Sequence, residues 1–474
     1  MASQSHKFSG NYLVLRPNEV TLFDLFRLPW THELEKKAFV ECPPEKFREN
    51  LRRKWLIFIS LSSQKFLLHA AKPLRWFGEK LETWVNLVSL NHNIFMLLLN
   101  LLRGKVIMPK RESEVFLSFI GSLDSRVELD KNIKPGDSRF YGALAAMAAK
   151  ISYENRAFVE RIVRDHWKME LIGYYNFWND YQKKRNTQAF MVHDKRTDMI
   201  VVAFRGTEPF NADDWSTDVD LSWYELDEMG KIHGGFMKAL GLVMEKGWPL
   251  NIEQDNSRPL AYYTLREKLR EQLKLNNETK FMLTGHSLGG ALSILFPAIL
   301  ALHKETWLLN RLEGVYTFGQ PRVGDKKFKE FMEIQLHNHD FRYLRYVYCN
   351  DVVPRTPTDD ITFLYKHFGT CLYFNSCYKG KKLQEQPHKN FISQFAWLPI
   401  FLNALWELVR GFILPLIKGP DYKDYKESWM LMLLRLWGLA FPGLSAHNPQ
   451  DYVNATRLSS RRIYHQPQLE DQHP

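Results

Sequence analysis

Between residues 136 and 355 the apolar positions change period repeatedly. Short β-branched or aromatic runs of strand length alternate with longer stretches of helical spacing. Residues 142–150 (GALAAMAAK) predict a helix. Met199–Phe204 (MIVVAF) predicts a strand that ends at Arg205-Gly206-Thr207. An amphipathic helix over 260–275, a strand over 280–284 and a helix over 288–303 follow, and 315–318 and 343–348 read as further strands. Strands that alternate with helices predict an α/β domain with a mostly parallel central sheet.

The flanks read differently. Residues 83–102 (TWVNLVSLNHNIFMLLLNLL) contain no charged residue, and twenty helical residues would reach ~30 Å, the depth of a hydrocarbon layer. Asn86, Asn91, His92, Asn93 and Asn100 make this a poor spanning helix, so a re-entrant or interfacial segment is expected. After residue 355 the chain turns apolar again, over 391–406, 411–417 and 429–444. Pro399, Pro415, Pro442 and Arg435 predict that these runs form short, interrupted amphipathic pieces. The expected organisation is a helical region over 1–135, an α/β domain over 136–457 with an apolar helical insert at about 356–444, and a polar tail over 458–474.

Composition adds a partner class. The 474 residues are 45% hydrophobic and 25% charged, which excludes a disordered or low-complexity chain. Aromatics reach 14%, and the net charge is +11. Most of that excess is local: 46–80 holds nine Lys and Arg against Glu49 and Glu79. A basic patch beside an uncharged apolar run fits a lipid surface, and no zinc-ligand spacing or RNA-binding signature points to nucleic acid. The N-terminus lacks the apolar core of a secretory signal, and four cysteines are too few for a disulfide scaffold.

Gly285-His286-Ser287-Leu288-Gly289 matches G-x-S-x-G between a predicted strand and a predicted helix. That context lifts the Ser287 hydroxyl at the edge of the sheet and aims free N–H groups at a developing oxyanion. A serine nucleophile needs a histidine base and an orienting carboxylate, here in the order Ser, acid, His. Asp351, in a strand-end turn, is best placed for the acid; Asp325 is its main rival, and Asp359 and Asp360 read as solvated loop acids. His447, in a late loop, is the first candidate for the base, with His367 and His388 as alternatives. The backbone of Leu288 and the N–H and hydroxyl of Thr207 are the candidate oxyanion donors. This chemistry calls for no metal or organic cofactor.

FRGT at 204–207, GHSLGGAL at 285–292, TFGQPRVGD at 317–325, NDVVP at 350–354 and HNP at 447–449 together resemble the class 3 lipases, an α/β-hydrolase family. The resemblance assigns the triad to Ser287, Asp351 and His447, lowers Asp325, and supports Thr207 as an oxyanion donor. It also makes 208–223 a lid, with Trp215, Leu221 and Trp223 turned to the cleft or to lipid. Residues 11–30 and the apolar insert resemble the plant oil-body lipases. They imply triacylglycerol hydrolysis on a lipid droplet or membrane surface. Membrane phospholipase A1 or galactolipase activity, and a non-catalytic droplet coat, are the alternatives. Droplet targeting is expected to depend on 46–105.

Overall fold

The computed structural model describes residues 9, 11–31, 33–43, 51–226, 228–242, 250–252, 255–357, 364–387, 397–418 and 427–464. Asp359, Asp360 and His388 lie outside them.

Eight strands form the central sheet, each beside the next in chain order: Glu170–Asn179, Lys184–Asp194, Met199–Phe204, Lys280–His286, Leu312–Phe318, Arg342–Tyr348, Thr370–Phe374 and Gly380–Leu383. The five from Met199 to Phe374 run parallel, and antiparallel strands flank them on both sides. Alternation along the strands supplies both cores. Ile200, Val202 and Phe204 pack on one face with the helices Ala261–Leu273 and Leu288–Leu302. Val201 and Ala203 pack on the other with the helices Phe140–Ile151 and Pro449–Leu458. A sheet covered on both faces needs nearly continuous apolar strands, as MIVVAF is. This is the α/β-hydrolase class expected from the sequence.

The N-terminal region is tied into this domain by hydrogen bonds. Asn11–Leu15 pairs with Trp223–Leu226 in a separate four-stranded antiparallel sheet. A third apolar cluster, which includes Leu15, Leu28, Ile57 and Leu61, joins that strand to a 40-residue helix, Leu51–Leu90.

The run 83–102 is not one helix. It breaks at Asn91–Asn93, and a second helix, Ile94–Leu102, leaves at 80°. The asparagines are the cause. Asn93 caps the new helix through Met96 N–H, and Asn91 exchanges hydrogen bonds with Ile107 N–H and C=O at 3.1 and 3.0 Å. Asn86 does the same with Leu117. Among the described residues no single helix is long and apolar enough to cross a membrane, although this bent pair passes that test together.

The insert departs from expectation. Trp397–Lys418 is a continuous 22-residue helix. Pro399 sits in its first turn, where no intrahelical N–H bond is required. Arg435 does not break the next run but lies buried within the helix Trp429–Trp437.

Candidate active site

The strand Lys280–His286 ends directly at Ser287, and the helix Leu288–Leu302 begins at the next residue. Ser287 has φ 57° and ψ −129°, a strained conformation for a residue with a side chain. Ser287 N–H donates to Phe318 C=O at 2.9 Å, which locks the turn to the neighbouring strand. A Cβ on Gly285 would strike the Gly289 backbone, and one on Gly289 would strike the Phe204 carbonyl. The tight turn therefore needs both glycines.

Asp351 follows the strand Arg342–Tyr348 and is fully buried. Its Oδ2 accepts from His447 Nδ1 at 2.7 Å and from the Tyr452 hydroxyl, and its Oδ1 accepts from Val353 N–H at 2.9 Å. Tyr452 stands one and a half turns beyond His447, on the helix Pro449–Leu458. The role of its hydroxyl on the carboxylate was not read from the sequence. An aromatic five residues after the candidate histidine was the available signal.

The His447 ring lies beside the elbow. It stacks on His286 with centroids 4.4 Å apart, and a Cβ on Gly319 would come within 2.8 Å of its Cε1. Gly319 has φ +59°, so glycine is required there for backbone and space alike. His447 Nε2 is buried and has no hydrogen-bond partner among the described residues. It is the free imidazole nitrogen, since Nδ1 faces the carboxylate. His286 itself is held through Nδ1 by the Tyr153 hydroxyl at 2.8 Å, and burial drives its pKa well below the usual histidine range. It stays neutral against His447.

Leu288 and Thr207 flank this arrangement. The loop after Met199–Phe204 packs on the elbow so closely that a Cβ on Gly206 would meet the His286 carbonyl. The Thr207 hydroxyl donates to Asp218 Oδ2 at 2.7 Å. Its proton is thereby committed to Asp218. Burial pushes the Asp218 carboxyl up to about 7, opposed by the Thr207 bond and the His447 charge. Asp218 was not foreseen as part of the site.

The rivals fall elsewhere. Asp325 caps the helix Lys326–His339 by accepting from Phe328 N–H. His367 is buried and bonded to Pro354 C=O at 2.7 Å.

Residues 208–223 contain a short helix, Ala212–Asp218, capped by Asn211. Half-buried Arg205 anchors it at Asp214, 3.2 Å away. The helix Leu51–Leu90 lies across this segment. Ser60 Oγ donates to Val219 C=O at 2.7 Å and accepts from Leu221 N–H at 3.1 Å. Phe77 and Phe119 meet Phe210 edge-on. Trp223 is not part of a loose lid. It belongs to a strand paired with Leu13, with Lys231 over its ring.

An elbow serine with a buried carboxylate–imidazole pair beside it is the arrangement of a serine ester hydrolase. The class 3 lipase family model matches residues 201–361. The chain belongs to the class 3 lipases. It is 41% identical to the triacylglycerol lipase OBL1 of Nicotiana tabacum over 86% of this chain and 84% of that protein. It is 41% identical to the protein of the same name from Arabidopsis thaliana over 95% of both chains. The Ricinus communis protein of that name is 35% identical, again over 95% of both.

Proposed function

We propose that this enzyme hydrolyses the acyl esters of triacylglycerol at a lipid-droplet or membrane surface. Ser287 Oγ attacks the ester carbonyl while His447 Nε2 takes its proton. Asp351 holds the imidazole by Nδ1 and offsets its charge. The N–H groups of Leu288 and Thr207 receive the oxyanion, each contributing about 2.7–4 kcal/mol to the transition state. His447 then protonates the departing glycerol oxygen, and water activated by the same nitrogen releases the fatty acid.

The observation that carries the reading is the buried Asp351–His447 pair at 2.7 Å, its other nitrogen free beside the strained elbow of Ser287. The likeness to proteins named triacylglycerol lipase over nearly the whole chain supports the substrate class. The region 46–105 is assigned to surface docking. Its helices leave Trp76, Trp84, Phe95, Leu98 and Leu102 exposed beside the basic patch.

The test is a lipid panel on purified protein, with Ser287→Ala as control. Triolein hydrolysis should exceed release from phosphatidylcholine or galactolipid, and the alanine variant should lose at least ~10³-fold in rate. A variant that still cleaves triolein near the wild-type rate overturns the mechanism, and faster release from phosphatidylcholine or galactolipid overturns the substrate. Deleting 46–105 should release the folded protein from droplets.

A further inference from the structure

The insert helices are amphipathic in the reverse sense. On Trp397–Lys418 the buried stripe is Ile400, Ala404, Glu407, Arg410 and Gly411, and it carries every charge whose burial is described on that helix. The outward face shows Leu402, Leu405, Trp406, Val409, Phe412 and Leu416. Trp429–Trp437 repeats the pattern, with Arg435 inside and Trp429, Leu433, Leu436 and Trp437 outside.

The buried charges are matched internally. Arg435 binds Glu427 at 2.6 and 2.8 Å, Asp451 at 3.0 Å and Glu407 at 3.3 Å. Arg410 reaches Glu427 and Asp451 at 3.3 and 3.5 Å and the Tyr348 hydroxyl at 2.9 Å. Asp451 also accepts from Tyr378 and Asn448, both at 2.6 Å. It lies on the helix that follows His447.

We propose that the outward face of these two helices is a lipid-docking surface that lies in the acyl layer beside the His447 side of the cleft. The inference rests on the reading of a water-insoluble lipid ester as substrate. Water is the wrong medium for a face of this kind, since apolar groups are exposed while charges are sequestered at a desolvation cost. A hydrocarbon layer reverses both terms, because no described charge on this face would enter it. A protein partner would call for a polar rim with hydrogen-bonding side chains, and here the ring of polar groups faces inward. The residues from Leu398 to Leu416 span about 27 Å, and the pair lies flat rather than spanning, with tryptophans suited to the water–lipid boundary.

The insert is also hydrogen-bonded to the site and to the N-terminal region. Val352 N–H donates to Gly443 C=O at 3.2 Å, beside Asp351. Ser428 Oγ donates to Leu123 C=O at 2.7 Å, in the short helix Phe119–Leu123 that adjoins the Asn86–Leu117 bonds of the long helix.

The experiment is flotation of full-length protein with triolein droplets coated in phosphatidylcholine, in a Ser287→Ala background so that binding is read without turnover. Leu402→Glu with Phe412→Glu should weaken partition by about tenfold or more. With Ser287 intact, the same double variant should keep hydrolysis of soluble p-nitrophenyl butyrate, which shows that it folds. Unchanged flotation of a folded double variant overturns the proposal. If the charges disturb folding, Phe412→Cys bearing an environment-sensitive dye, with Cys42→Ser and Cys377→Ser, replaces them. A blue shift on adding droplets supports the proposal, and none overturns it. A second copy as occupant would appear as a wild-type dimer in sedimentation that the glutamates dissociate without changing flotation, which also overturns it. Droplet binding through this face without triolein hydrolysis would leave the docking intact and remove only the enzymatic reading.

Discussion

Asp351 receives bonds from His447, Tyr452 and Val353 N–H, so its carboxylate has little freedom to rotate. Tyr452→Phe should keep the fold and cost about tenfold in kcat on a soluble ester, as expected for one hydrogen bond to a charged group. Thr207 depends in the same way on Asp218. Asp218→Ala should lower kcat by about tenfold with KM little changed, because the loss falls on oxyanion placement. Asp218→Asn should recover most of that loss, since the amide oxygen still accepts the Thr207 hydroxyl. At this scale the sequence was partly legible. The Ser287 elbow could be read from a motif between a predicted strand and a predicted helix. Asp218 could not, because a short acidic helix reads as a solvated surface until it is seen folded back onto Thr207.

The elements follow their local patterns where one face of the chain dominates. The strands Met199–Phe204 and Lys280–His286 are buried on both faces and stand where the apolar runs predicted. In the flanking helices single polar residues with distant partners decide where a helix ends or continues. Asn91 ends a helix by bonding residue 107, and Arg435 continues one by bonding three acids. Arg435→Leu would take one of two arginines from the buried cluster of Glu407, Glu427 and Asp451 and leave Arg410 facing the three carboxylates. It should cost about 3–5 kcal/mol in denaturant unfolding, far more than a surface arginine. Ser60→Ala would strip partners from Val219 C=O and Leu221 N–H. Hydrogen exchange over 208–221 should then quicken while the central sheet stays protected.

Across the whole molecule the N-terminal region and the sheet domain are joined at Glu154, which accepts from Ser118 N–H and Oγ at 2.8 Å each. Burial pushes its pKa up to about 7, against the pull of the Ser118 bonds and Lys150. The folded state therefore holds a proton that the unfolded chain has released above about pH 4.5. Its contribution is present at low pH and is lost as pH rises from about 4.5 to about 7. Glu154→Gln removes that slope, so in thermal melts the variant should gain on the wild type between pH 5 and pH 8, by up to about 3 kcal/mol.

Period, motif and order are local properties of the chain. They sufficed for the parallel sheet, the Ser287 elbow, the chain order of Asp351 and His447, and the position of the basic patch in 46–80. Pairings across long separations are not local. The bond from Tyr452 to Asp351, the strand from 11–15 beside 223–226, and the choice of which way the insert helices turn their charges were decided only in the tertiary structure. A charged residue in an apolar run reads as an interruption until its counter-charges arrive. In Glu407, Arg410 and Arg435 they arrive from one another and from Glu427 and Asp451, and the apolar face is turned outward as the result.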